Sequence, residues 1–139
     1  MTKMKIALFA LLGLLVAVSA GWLWGSWGRW TVERQAQGAE LRVQLAEARA
    51  ALLSARVNLF EINFGKASTE LERAKQAMSA AATLLDKADR SAEAASVRRA
   101  LAKTGEAQQL AGAVDQTAGA RAAEALAALA RVNAIEGGK

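Results

Sequence analysis

The chain has 139 residues, a formal net charge of +5 and no Pro, Cys, His or Tyr. Without His or Cys it lacks the commonest general base, the thiol nucleophile, the N/S ligands of a zinc site and any disulfide framework. No acidic pair and no Gly-rich phosphate loop stands out, so the sequence reads as non-enzymatic, with no catalytic residue, cofactor or metal site expected.

Residues 1–5 form a short basic tail with Lys3 and Lys5, and residues 6–28 are twenty-three positions without a charge. At the helical rise such a stretch spans about 35 Å, enough to cross a bilayer. A single N-terminal transmembrane helix is therefore expected. The same start fits a secretory signal peptide, because Val18-Ser19-Ala20 makes an acceptable cleavage site after Ala20. Two features favour an uncleaved anchor. The apolar run continues past that site, and Trp22, Trp24, Trp27 and Trp30 are grouped where a spanning helix meets the interface, where indole rings sit with the N–H toward water. A basic N-tail ahead of a first hydrophobic helix stays cytoplasmic by the positive-inside rule, which puts the rest of the chain on the far side. Arg29 and Arg34 on the other flank leave the reverse topology as the alternative. Gly13, Ala17, Gly21 and Gly25 recur every four residues and line one side of this helix, where small residues let a second membrane helix approach.

All thirteen acids lie beyond residue 31, and with Lys3, Lys5 and Arg29 set aside, fifteen bases face them. The remainder of the chain is thus nearly neutral, and its basicity is a membrane-flank feature with no nucleic-acid face.

After a juxtamembrane segment over residues 29–40, residues 41–136 are rich in Ala, Leu, Glu, Arg and Gln, with no strand-like alternation. An all-α domain of three to four antiparallel helices is expected. Leu41, Leu45, Ala48, Leu52, Ala55, Leu59 and Ile62 step by four and three, a heptad seam, and Ala67, Leu71, Ala74, Met78, Ala81, Leu85 and Ala88 repeat it. Between them Asn63-Phe64-Gly65 offers Asn and Gly for a left-handed helix end and Phe64 to plug the junction, so the two helices fold back as an antiparallel hairpin. Arg42, Arg49 and Arg56 recur every seven residues beside the first seam. They suit either a docking strip for acids or, in the folded hairpin, ion pairs of Arg56 with Glu70 and Glu72 and of Arg42 with Asp86 and Asp89. A second turn is expected over residues 87–91, capped by Asp89 or Ser91. The stretch that follows loses its apolar phase at Thr104-Gly105, the expected interruption, and closes with an amphipathic helix before Gly137-Gly138.

Asn63-Phe64-Gly65-Lys66-Ala67, with Leu71, Ala74 and the small Ala55 upstream, resembles the middle of a tetratricopeptide repeat over residues 48–80. With its hydrophobic N-terminus the whole chain looks like small bacterial envelope proteins that hold a helical module at the inner membrane. That likeness implies an adaptor or assembly factor, its N-terminus cytoplasmic and its helical domain periplasmic. The partners expected are membrane lipid and protein, either another copy of the chain or a different subunit, engaged through the membrane helix and the helical domain. A phage-type lysis or membrane-remodelling factor is the competing function, and a secreted helical ligand-binding protein is the outcome if Ala20 is a cleavage point.

Overall fold

A computed structural model describes residues 35–136, with side chains described as far as residue 132. Within that range the chain is all α, with four helices and no strand: α1 over residues 35–60, α2 Phe64–Lys87, α3 Ser91–Gly112 and α4 Ala118–Glu136. None of these helices is long and apolar enough to cross a membrane. The expected spanning stretch 6–28, with Gly13, Ala17, Gly21, Gly25 and Trp22, Trp24, Trp27 and Trp30, lies outside the described residues. Residues from Ala39 onward belong to one compact unit. Helix is already present at residue 35, ahead of the expected start of the helical domain at Leu41.

Successive helices run antiparallel. Glu47 of α1 pairs with Arg73 of α2. Glu72 meets Gln108 while Asp86 meets Arg98, so α2 and α3 run in opposite directions. Lys103 meets Glu124 and Arg121 meets Glu106, which reverses α4 on α3. The core between them is mostly alanine, with Leu52, Leu71, Met78, Leu85, Val97, Leu129 and Val132 as its large fully buried side chains. Alanine at the contact lets two backbones come closer than leucine would, and it is the best helix former, so one residue type serves both propensity and packing.

The three reverse turns share one geometry. Ile62, Asp89 and Val114 each take a left-handed conformation, with φ of 59°, 57° and 57°. The next N–H, of Asn63, Arg90 and Asp115, donates to the carbonyl five residues back, on Asn58, Leu85 and Leu110. The N–H of the left-handed residue itself donates three residues back, to Leu59, Asp86 and Ala111. These paired bonds are the Schellman motif, which satisfies the orphan carbonyls of a helix end. The first expectation for these turns is corrected: Ile62 is the left-handed residue, while Asn63 caps α2, its side chain accepting from the Lys66 N–H at 3.3 Å. Gly65 already belongs to α2, and Phe64, its first residue, packs against the core. Asp89 likewise ends α2 and does not cap α3, whose N-cap position is Arg90.

The interruption expected at Thr104-Gly105 does not occur. α3 runs through it to Gly112, and the break falls over residues 113–117. The apolar phase is unbroken once small residues are counted, because Ala94, Val97, Ala100, Thr104, Ala107 and Ala111 form the buried face. Thr104 fits there with its hydroxyl donating to the Ala100 carbonyl at 2.8 Å, which leaves no unsatisfied polar atom. At the true break the Asp115 carboxylate accepts from both the N–H and the hydroxyl of Thr117, each at 2.8 Å, just ahead of α4.

Candidate interaction surface

The side chains placed in the first two seams divide cleanly. Leu41, Leu45 and Leu52 of α1 and Leu71, Met78 and Leu85 of α2 are buried, and Leu59 is half-buried against the core. Ile62 is not part of the seam: it stands in the turn, 69% exposed, because the chain leaves the helix at residue 60 and the heptad has no further register to follow. Ala88, at the matching end of α2, is exposed for the same reason.

The arginine row does not make the expected pairs. Its counterparts are engaged elsewhere: Glu70 with Arg73, Glu72 with Lys75, and Asp86 with Arg98. The cause is the side of α1 that faces α2. The pair Glu47–Arg73 and the burial of Ala51 mark that flank, whereas Arg42, Arg49 and Arg56 lie across the buried stripe from it. Among the described residues none of the three arginines forms an ion pair.

Between helices the polar contacts form small clusters. Lys75 Nζ donates to Glu72 Oε2 at 3.0 Å and to Gln108 Oε1 at 2.9 Å, and Gln108 Nε2 donates back to Glu72 Oε2 at 3.0 Å. Hydrogen bonds from Lys75 and then Gln108 hold the Glu72 carboxyl below the usual carboxylate range. Glu124 is lowered in the same way, first by Lys103 and then by Arg121. The first cluster is half-buried and the second exposed, and they tie α2 to α3 and α3 to α4, so they read as register-setting links. No group of three or more potential metal ligands occurs among the described residues.

One surface remains that the fold does not use. The face of α1 turned away from its buried stripe carries Val43, Ala46, Ala50, Leu53, Val57 and Phe60, all exposed. Their steps of three and four are those of a second heptad, offset by two residues from the first. Phe60, at 89% exposed, is the most open large apolar side chain described, and Ile62 and Val114 stand exposed in the two turns that share its end of the helices. Arg42, Arg49 and Arg56 immediately precede positions 43, 50 and 57 of this stripe, and Glu47 and Glu61 immediately follow positions 46 and 60. Sequence reasoning followed only the leucine-rich register; the second was legible as Val43, Leu53, Val57 and Phe60 with alanine filling the gaps.

Compared with protein-family models, curated proteins and solved structures, the chain matches none.

Proposed function

We propose that this protein is a non-enzymatic, membrane-anchored interaction subunit that scaffolds a protein complex of the bacterial envelope. The observation that carries the reading is the joining of an uncharged stretch long enough to span a bilayer, residues 6–28, to a small helical bundle that leaves an apolar helix face uncovered. The stretch is the tether, with Gly13, Ala17, Gly21 and Gly25 as a packing face and the four tryptophans at the far interface. The N-terminus is cytoplasmic and the bundle periplasmic. A tetratricopeptide-like role for the hairpin, offering a surface to a protein partner, belongs to the same reading.

Two features support a scaffold over a catalyst. Among the described residues the buried ones are apolar apart from Thr104, whose hydroxyl is satisfied within its own helix. Several charged groups serve as links between helices, as in Glu47–Arg73, Asp86–Arg98 and Lys103–Glu124. The test is gentle crosslinking of native membranes containing the full chain, followed by purification in mild detergent and mass spectrometry. A reproducible protein partner, including a second copy, is the expected result. A monomer that co-purifies with nothing would end the proposal, and recovery of a mature chain beginning at Gly21 would replace the anchor with a cleaved signal.

A further inference from the structure

We infer that the exposed heptad face of α1 is the seam of a parallel, in-register coiled coil with α1 of a second copy of this chain. The inference goes beyond the proposed function in naming surface, occupant and orientation, and it rests on that reading only for the shared membrane.

The pattern first fixes the number of strands. With Val43, Ala50 and Val57 at the a positions and Ala46, Leu53 and Phe60 at d, the face has β-branched valine at two of three a positions and leucine at the central d, the arrangement that favours two helices. All six side chains are exposed, and the buried stripe of the same helix points the other way, so pairing would leave the apolar core of the bundle intact.

Charge then fixes the occupant and its direction. The g positions beside this seam are Arg42, Arg49 and Arg56, and the e positions are Glu47, Ser54 and Glu61. In a parallel pair each g residue meets the e residue five positions on in the partner, which sets Arg42 against Glu47 and Arg56 against Glu61 on both sides of the seam. An antiparallel pair sets g against g and e against e, arginine facing arginine and glutamate facing glutamate, which costs energy. The chain is thus complementary to itself in one orientation only. The partners are available: Arg42, Arg56 and Glu61 are exposed, and Arg73 engages only one oxygen of Glu47, Oε1. A parallel pair also brings both chains into their α1 helices from the same end, as two chains tethered to one membrane require. Tethering raises the effective concentration of the second copy, which suits a seam with alanine at two of six positions.

The absence of cysteine makes the test clean. Single substitutions Ala46→Cys and Ala50→Cys are introduced into the full chain in its membrane, with Ala95→Cys on the exposed surface of α3 as control. Mild oxidation should convert most of the first two to disulfide dimers and leave the control at background. Adding Leu53→Asp, which would bury an unpaired carboxylate in the seam, should lower the dimer yield about tenfold or more. Dimers formed between Ala46→Cys and Val57→Cys chains, with neither linking to itself, would mean an antiparallel pair and overturn the inference. An internal disulfide in a chain carrying both Ser19→Cys and Ala50→Cys would mean that the chain's own hydrophobic segment covers the face, and would overturn it too. So would control-level yields throughout. Fractionation of the same samples separates the two ideas: dimers in the soluble fraction refute the anchor and keep the seam, whereas membrane-bound monomers refute the seam and keep the anchor.

Discussion

Ile62 and Val114 occupy left-handed backbone that β-branched side chains rarely adopt, and both are well exposed, so no burial is gained in exchange for the strain. The left-handed region costs an L-residue roughly 1–2 kcal/mol, and glycine gives back part of that through its freedom in the unfolded chain. Ile62→Gly and Val114→Gly should therefore each stabilise the protein by about 1 kcal/mol, read as a raised thermal midpoint. Asp89→Gly should do less, because Asp tolerates this conformation better. A midpoint that falls in both β-branched variants would mean that these side chains are held by contacts the isolated chain does not make. Inside the core the sign is reversed. Leu52, Leu71 and Leu85 are fully buried, so truncating any one to Ala should cost about 2–5 kcal/mol. Leu59→Ala should cost less, since Leu59 is only half-buried. Equal losses at all four sites, measured by denaturant titration, would contradict the placement of α1 on α2. The left-handed residues were not legible in the sequence, because the rule that looks for Gly or Asn at a helix end passes over Ile and Val.

The first two turns were legible at the level of the helix, since the leucine-rich seams of α1 and α2 break where the chain reverses. The third was not, because the buried face of α3 is made of Ala100, Thr104, Ala107 and Ala111, and a register of alanines looks the same from every side. Gly105 drew attention to the wrong place. It sits within α3, and a Cβ there would meet nothing within 4 Å. Gly105→Ala should accordingly stabilise by about 0.5–1 kcal/mol, the ordinary gain from removing glycine from a helix interior. Destabilisation by a similar amount would show that α3 bends there. The links between helices carry a pH dependence. Lys103 and Arg121 hold the Glu124 carboxyl below its usual range, so on acidification the unfolded chain takes up that proton first. The contribution is complete above the ordinary carboxylate range and is lost as pH falls through the lowered folded value. Glu124→Gln should flatten the decline of the thermal midpoint toward acid. Unchanged slopes would mean that this pair is solvated in both states.

At the scale of the whole molecule, composition pointed early to the all-α fold of the described residues, because absent proline and abundant alanine leave little else to form. What the sequence reading passed over was the second apolar face of α1. Both faces are apolar heptads, and the bundle takes the leucine-rich one, burying Leu41, Leu45 and Leu52, while the Glu47–Arg73 pair and the burial of Ala51 mark the flank turned toward α2. If the outward face joins two copies through α1 and residues 6–28 span the bilayer as proposed, that segment becomes a second, separable contact. Lipid tails are as apolar as leucine, so helices in a bilayer associate through close van der Waals contact, which small residues permit. Gly21→Leu leaves the segment hydrophobic enough to insert, yet pushes any neighbouring helix away by the width of a side chain. In the proposed spanning helix Leu15→Ile falls on another side and should do little. In membranes carrying equal amounts of each protein, Gly21→Leu should reduce co-purification of the partner while Leu15→Ile leaves it unchanged. Equal yields would reduce the segment to a plain tether and assign association to the helical domain alone. Combining Gly21→Leu with Leu53→Asp then asks whether the two contacts are coupled. Losses that add in free energy mark independent contacts, whereas a double variant no worse than the more severe single one means that one contact forms only when the other is in place.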